Sequence, residues 1–205
     1  MVYNNFFLRF LFSAIFITIY FIIAYVNFQL VYFLIVLIYF FILIEIFIFF
    51  KIHKLYPLIY LFISFIFFIT IDFREEIFSD FNLFILIVIT FDIFSYIIGK
   101  FLGKNKLTKI SPNKTYEGLL GGIITSLFIS LLFSYNFNIS IDIDHVFFIL
   151  LIILSAFLGD IIESYFKRIN NLKNSSEIIP GHGGVFDRFD SFLFAIIFYS
   201  ISFIL

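Results

Sequence analysis

Residues 30–50 read LVYFLIVLIYFFILIEIFIFF, an almost unbroken run of aliphatic and aromatic side chains. A helix needs roughly 17–25 apolar residues to cross the hydrocarbon core of a bilayer, and this window is long enough. Similar windows recur, so the sequence predicts about seven spans. They are Phe10–Val26, Leu30–Phe50, Leu55–Ile71, Leu83–Ile98, Gly118–Tyr135, Val146–Ile162 and Phe192–Leu205.

The composition of the 205-residue chain excludes a water-soluble globule. Hydrophobic residues make up 63% and charged residues 13%, whereas soluble domains carry roughly 25% charged residues. The net charge of −1 gives no reason to expect a nucleic-acid partner. The absence of Cys excludes disulfides and thiolate chemistry. We therefore predict an all-α polytopic membrane protein that resides in the lipid bilayer.

The placement of Lys and Arg predicts the orientation. If the N-terminus is cytoplasmic, 12 of the 13 basic residues lie inside and only Arg74 lies outside, as the positive-inside rule requires. The polar residues then fall in two long cytoplasmic loops, 99–117 and 163–190. We accordingly divide the chain into an N-terminal scaffold, 1–82, and a catalytic transmembrane region, 83–205. A bacterial inner membrane is the expected location.

The first polar cluster begins within the fourth span. Asp92 lies at the end of an apolar helix, where ionisable residues usually face a cavity or a partner. An ion pair between Asp92 and a loop Lys is the simpler interpretation. The following loop contains Ser111 and Lys114 among Gly, Pro and Thr, which suits a turn that approaches phosphate oxygens. Its lysines could instead serve only as cytoplasmic anchors near anionic lipid.

The second polar cluster is denser. Asp160, Ser164 and Lys167 share one helix face at spacings i, i+4 and i+7, and Asp187 and Asp190 share another if a helix begins there. Mg²⁺ prefers carboxylates, waters and substrate phosphates as ligands, and cations stabilise the charge on transferring phosphoryl groups. The cluster therefore predicts a phosphate-handling site, although mutual salt bridges are the alternative.

The cations and the single His of this cluster extend the same prediction. Arg168, Lys173 and Arg188 are candidate phosphate contacts beside Lys167. His182 lies in a turn with three glycines, where it could cap backbone groups, act as a general base or contact phosphate. The residues alone do not decide among these roles.

The two clusters together resemble the phosphatidate cytidylyltransferases, also called CDP-diglyceride synthetases. The resemblance lies in Ser164-x-Phe166-Lys167-Arg168-x4-Lys173, then Ser176, Pro180 and His182-Gly183-Gly184-x-x-Asp187-Arg188-Phe189-Asp190. The upstream blocks are Asp92-x-x-x-Tyr96-x-x-Gly99-Lys100 and Ser111-Pro112-x-Lys114-Thr115-x-Glu117-Gly118. These motifs span about residues 90–191, half of the chain.

The resemblance implies that CTP and phosphatidic acid react to give CDP-diacylglycerol and pyrophosphate, with Mg²⁺ as cofactor. A second cation and a homodimer are left open. The implied metal ligands are Asp160, Asp187 and Asp190, which with Lys167 form the implied catalytic set. The implied substrate contacts are Ser111, Lys114, Ser164, Arg168, Lys173, His182, Arg188 and Asp92.

The sequence departs from the family pattern in two places. Asn174 occupies a position that usually carries Asp, and the chain is short in its N-terminal spans. Three alternatives therefore stay open here. One is a related CTP-dependent lipid enzyme, such as a CDP-archaeol synthase or a polyprenol kinase. The others are an inactive scaffold and a transporter or channel that uses Asp92 and Asp160 as its ion path.

Overall fold

The computed structural model describes residues 18–74, 77–108, 110–178 and 183–204, and these residues are almost entirely helical. Helix α1 includes residues 18–26. The remaining helices are α2 Gln29–Phe49, α3 Leu55–Ile69, α4 Phe78–Leu102, α5 Tyr116–Asn136, α6 Ile143–Ile169 and α7 Phe186–Ile204. An isolated antiparallel β-bridge joins Lys106 to Thr115.

Four of these helices, α2, α4, α5 and α6, are long and apolar enough to cross a membrane. Only 28% of the most apolar window of α5, and 39% of that of α4, is buried within the protein. The remaining apolar surface needs lipid around it, because water would make such exposure costly. The prediction of an all-α polytopic membrane fold is confirmed.

The two polar segments contain more helix than the sequence predicts. Helix α6 continues through Ile169, and α7 begins at Phe186 rather than Phe192. Among the described residues, those without helix in the two polar segments are 103–108, 110–115, 170–178 and 183–185. The apolar windows mark only the hydrocarbon core, while helices continue through the interfacial layer of a bilayer that is about 40–45 Å thick in total. Part of the predicted span Phe10–Val26 lies outside the described residues.

Aromatic side chains and one hydroxyl link the central helices. Phe84 and Tyr199 have ring centroids 4.6 Å apart, which joins α4 to α7. Ser64 of α3 donates to the Leu193 carbonyl of α7 at 2.6 Å and also hydrogen-bonds the Tyr39 hydroxyl of α2 at 2.6 Å. Because Ser64 is fully buried, both of its polar interactions are made inside the bundle.

The connections that carry most of the basic residues meet at one end of the bundle. The backbone N–H groups of Ile52 and His53 donate to the Asn170 side chain at 3.2 and 2.8 Å. Arg168 donates from Nε to the Ile110 carbonyl at 3.2 Å. We call the region formed by the described residues of segments 50–54, 103–115 and 170–185 the site end. The helix directions place Arg74 at the opposite end, in agreement with the predicted separation of basic residues.

Gly159 lets α6 and α7 approach closely beside the polar residues of the site end. A Cβ at this position would lie 2.5 Å from the Asp190 carbonyl oxygen and 3.0 Å from Phe194 Cβ. A backbone carbonyl cannot easily move away, so any larger side chain must push the helices apart. The close approach brings Asp160 of α6 to the face of α7 that carries Asp190.

We predict that Gly159→Ala lowers the free energy of unfolding by about 1–3 kcal/mol, because the added methyl group overpacks the α6–α7 contact. Unfolding in mixed detergent micelles would measure the change. The matched control is Leu158→Ala at the neighbouring residue, whose side chain is exposed, with an expected change within about 0.5 kcal/mol. Equal stability of Gly159→Ala and the parent chain would contradict the close packing.

Candidate functional site

A buried ion-pair cluster joins α6 to α7 at the site end. Lys167 Nζ lies 2.6 Å from Glu163 Oε2 and 2.6 Å from Asp187 Oδ1. Glu163 is four residues before Lys167, so the two side chains share one face of α6. The Glu163 side chain is fully buried, and those of Lys167 and Asp187 are 12% and 8% exposed. Each charge is thereby paired where an unpaired one would be costly.

Asp187 also binds Ser175 and Gly184, two residues that precede α7 in the chain. Its Oδ2 atom accepts hydrogen bonds from the backbone N–H of Ser175 at 2.8 Å, the Ser175 hydroxyl at 2.7 Å and the Gly184 N–H at 2.9 Å. Gly183 has φ +83°, and a Cβ there would lie 2.6 Å from Asp187 Oδ2. Glycine is therefore required at position 183 both for the backbone conformation and for the contact with Asp187.

The second ion pair is more accessible and joins segment 103–115 to α6. Lys114 Nζ lies 2.6 Å from Asp160 Oδ2, with the two side chains 18% and 32% exposed. The other carboxylate oxygen of Asp160 accepts a long hydrogen bond from the Ser164 hydroxyl at 3.4 Å. Lys114 Nζ also lies 4.9 Å from the centroid of the Phe157 ring. An incoming anion can reach this cation more readily than the buried Lys167.

Three carboxylates from three helices face one another beside this pair. Ser191 links two of them, since its hydroxyl donates to Asp92 Oδ1 at 2.9 Å and its N–H donates to Asp190 Oδ1 at 2.8 Å. Asp160 repels both Asp92 and Asp190 electrostatically. Lys114 and Arg188 oppose this repulsion at Asp92. We call Asp92, Asp160 and Asp190 the acidic trio, whose carboxylate oxygens are the kind of ligand that Mg²⁺ prefers.

The remaining predicted contacts lie around these two clusters. Arg168 donates from Nη1 to the Leu172 carbonyl at 3.0 Å, so it supports segments 103–115 and 170–185. Ser111 forms a turn in which its carbonyl accepts from the Lys114 N–H at 3.1 Å. Lys173 is exposed, as is the unusual Asn174. His182 lies outside the described residues.

The predicted metal ligands are not gathered into one group. Among the described residues, no three His, Asp or Glu side chains are arranged to hold a metal ion. Both oxygens of Asp187 are already engaged by Lys167, Ser175 and Gly184. The acidic trio is not such a group of three either, but one or two of its carboxylates would be enough for Mg²⁺, because waters and substrate phosphates supply the other ligands.

The sequence analysis missed two buried acidic residues. Glu163 pairs with Lys167, and Glu45 of α2 accepts a hydrogen bond from the Phe186 N–H at 3.1 Å. Glu45 and Glu163 are both fully buried. Glu45 is the only charged residue in window 30–50, and a charged residue inside a span is itself a signal of a functional partner.

The fold and the site define a polytopic helical membrane protein with its ionisable groups concentrated at one end of the bundle. Residues 50–205 match the model of the Cytidylyltransferase family. The chain therefore belongs to the cytidylyltransferase family, and the resemblance seen in its motifs is confirmed.

Curated relatives agree with this family. The chain is 48% identical over 116 residues to a phosphatidate cytidylyltransferase of Staphylococcus haemolyticus, and 47% identical over 117 residues to one of Staphylococcus aureus. A relative from Staphylococcus saprophyticus is 48% identical over 116 residues. The matches cover 54% of this chain and 44% of each relative. The matched part is thus less than half the length of the relatives.

We predict that Asp187→Ala lowers the free energy of unfolding by about 3–5 kcal/mol, because the Ser175 N–H, the Ser175 hydroxyl and the Gly184 N–H lose their acceptor and Lys167 keeps only Glu163 as its acidic partner. Chemical unfolding in detergent micelles would measure it. Asp72→Ala is the matched control, since the Asp72–Arg74 pair also has a 2.6 Å contact but its side chains are 63% and 68% exposed. That exposed pair should contribute at most about 1 kcal/mol. Equal effects of both substitutions would contradict the anchoring role of Asp187.

Proposed function

We propose that this protein transfers CMP from CTP to phosphatidic acid and releases pyrophosphate, giving CDP-diacylglycerol. Membership of the cytidylyltransferase family and the names of the staphylococcal relatives support this reaction over ion transport and over other CTP-dependent lipid chemistry. The observation that carries the proposal is the accessible Lys114–Asp160 pair next to Asp92 and Asp190. It combines a cation for phosphate with carboxylates for a metal at one end of the bundle.

In the proposed reaction, a phosphate oxygen of phosphatidic acid attacks the α-phosphorus of CTP. A new O–P bond forms as the bond between the α-phosphorus and the bridging oxygen to the β-phosphate breaks, so pyrophosphate leaves with that electron pair. Phosphatidate is already largely ionised at neutral pH, so no strong general base is needed. The protein's task is to position the two anions and to neutralise their charge.

Lys114 is the cation we assign to the reacting phosphates. Its ammonium group has three donor protons, and Asp160 engages this group while 18% of the side chain stays exposed. Arg188 and Lys173 would add positive charge for the CTP phosphates. Lys167 acts mainly by holding α6 against α7, because Glu163 and Asp187 both contact its ammonium group.

Mg²⁺ would be held by Asp160 and Asp190, with Asp92 supplying further negative charge. When bound, Mg²⁺ neutralises phosphate charge and favours departure of pyrophosphate. We assign Asp187 to anchoring the segment before α7, because its oxygens already accept several hydrogen bonds in this arrangement. Dependence on Mg²⁺ is part of the proposal, and a homodimer stays a prediction from the resemblance.

We propose that the protein lies in the inner (cell) membrane of a bacterium, with the site end on the cytoplasmic side. The 12-to-1 division of basic residues supports this orientation, and the relatives come from bacteria. CTP would then reach the site directly from the cytoplasm, while the acyl chains of phosphatidic acid stay in the bilayer.

We predict that Asp160→Asn lowers the transfer of label from α-³²P-CTP to phosphatidic acid at least about 10²-fold, because the lost charge weakens both cation binding and the Lys114 contact. Membranes containing the full chain, phosphatidic acid and Mg²⁺ would be extracted, and label in the lipid phase counted. The matched control is Asp144→Asn, an exposed carboxylate in the first turn of the same helix, which should keep full activity. Retained activity in Asp160→Asn would refute the assignment of Asp160.

We predict that Lys114→Ala lowers kcat/KM for CTP or phosphatidic acid by roughly 10²-fold, because a cation that faces the reacting phosphates is lost. Initial rates at varied concentrations of each substrate would show which phosphate it contacts. Lys104→Ala is the control in the same segment, since the Lys104 side chain is exposed and only its backbone N–H bonds Glu117. A rate unchanged by Lys114→Ala would contradict the role of this cation.

A further inference from the structure

Glu45 is a buried acid that lies outside the matched family segment 50–205 yet contacts the site end. It belongs to α2, four residues before that helix ends at Phe49. A buried carboxylate is costly unless it is hydrogen-bonded or paired. Its position in an otherwise apolar helix therefore calls for a partner, and that partner is the start of α7.

The contact satisfies a backbone donor that the helix itself cannot satisfy. Glu45 Oε2 accepts a hydrogen bond from the Phe186 N–H at 3.1 Å, and Phe186 is the first residue of α7. The first N–H groups of a helix have no acceptor within the helix, and a negative charge near them is favourable. Glu45 thus fixes where α7 begins, one residue before Asp187.

The same carboxylate packs against the segment that Asp187 binds from the other side. A Cβ on Gly184 would overlap both the Glu45 carboxylate and the Ser175 hydroxyl. Gly184 and Ser175 are the residues whose N–H groups donate to Asp187. Residues 175 and 184 are therefore held between two carboxylates, Glu45 on one side and Asp187 on the other.

We propose that Glu45 is a positioning residue of the cytidylyl-transfer site, which holds Ser175, Gly184 and Phe186 so that Asp187 and Lys167 keep their places. Its role requires a hydrogen-bond acceptor of the right length, because the contact that it makes is with the backbone N–H of Phe186. The kinetic consequence rests on the proposed function, whereas the structural consequence does not. Glu45→Gln should therefore behave like the parent chain, and Glu45→Leu should not.

The test uses the reactivity of a thiol introduced into the segment. The chain has no Cys, so Ser176→Cys, at a residue that is 4% exposed, creates a unique buried thiol. The full chain in detergent is treated with a maleimide reagent, and the labelling rate is measured. Adding Glu45→Leu should raise that rate about tenfold, because loss of a buried acceptor favours local opening. Adding Glu45→Gln should leave it within about threefold.

The control is Glu117→Leu, because Glu117 accepts backbone N–H groups from the other polar segment, at Lys104 and Asn105. Glu117→Leu should leave the labelling rate of the Ser176→Cys thiol unchanged. If Glu45→Leu does not fold, Gly184→Ala is the second variant, because its methyl group would displace the Glu45 carboxylate as well as the Ser175 hydroxyl. It should accelerate labelling in the same way.

The kinetic readout is the rate of CMP transfer to lipid. Glu45→Leu should lower kcat about tenfold, with the amount of folded protein unchanged, and Glu45→Gln should restore it. Slow labelling in both Glu45→Leu and Gly184→Ala would overturn the proposal, as would equally fast labelling in Glu45→Gln and Glu45→Leu. If the parent chain transfers no CMP, the proposed function fails, and the labelling rates still decide the role of Glu45.

Discussion

The ion pair between Lys167 and Asp187 is the interaction on which the arrangement of the site end depends. It joins α6 to α7 at 2.6 Å with both side chains nearly buried. Loss of Asp187 would leave Lys167 with Glu163 as its remaining acidic partner, and three hydrogen bonds from Ser175 and Gly184 would lose their acceptor. The second carboxylate oxygen of Asp187 accepts hydrogen bonds from the backbone N–H groups of Ser175 and Gly184. One side chain therefore sets both the helix contact and the adjoining segment.

The site end divides into a buried part and an accessible part. Glu45, Glu163, Lys167 and Asp187 form the buried part, where each polar group acts on another protein group. Lys114 and the acidic trio form the accessible part, where oxygens and a cation can meet ligands. This division explains how a helical bundle with little charge can hold a phosphate-handling site. The buried ions fix the geometry, and the accessible ions would do the chemistry.

Most of the helices were predicted from the apolar windows. A membrane-spanning helix must form its own backbone hydrogen bonds and present apolar side chains to lipid. The proximity of Lys114, Asp160 and Asp92 was predicted only in part from the sequence. Asp92 was expected to face either a cavity or a lysine of the next loop. The start of α7 at Phe186 was missed, because hydropathy falls wherever Asp and Arg enter a helix. The engagement of Asp187 by backbone N–H groups was also missed, since side-chain spacing carries no information about donors from a distant segment.

Glu45 shows a different limit of sequence reasoning. An average over 21 apolar residues hides one carboxylate, even though its burial requires a partner. The partner, Phe186 N–H, is 141 residues away in the chain. Segment 1–82 was predicted to be scaffold alone, and a direct contact of this kind cannot be read from local pattern. The contact links the scaffold to the start of the helix that carries Asp187 and Asp190.

The proposed reaction is tested most directly by asking which phosphorus atom of CTP enters the lipid. Membranes that contain this chain are given phosphatidic acid and Mg²⁺ with CTP labelled at either the α- or the γ-phosphate. Cytidylyl transfer predicts that α-label enters the lipid phase while γ-label stays in water as pyrophosphate. Entry of γ-label into lipid would instead show phosphoryl transfer and contradict the proposed reaction, as would the absence of both labels from lipid.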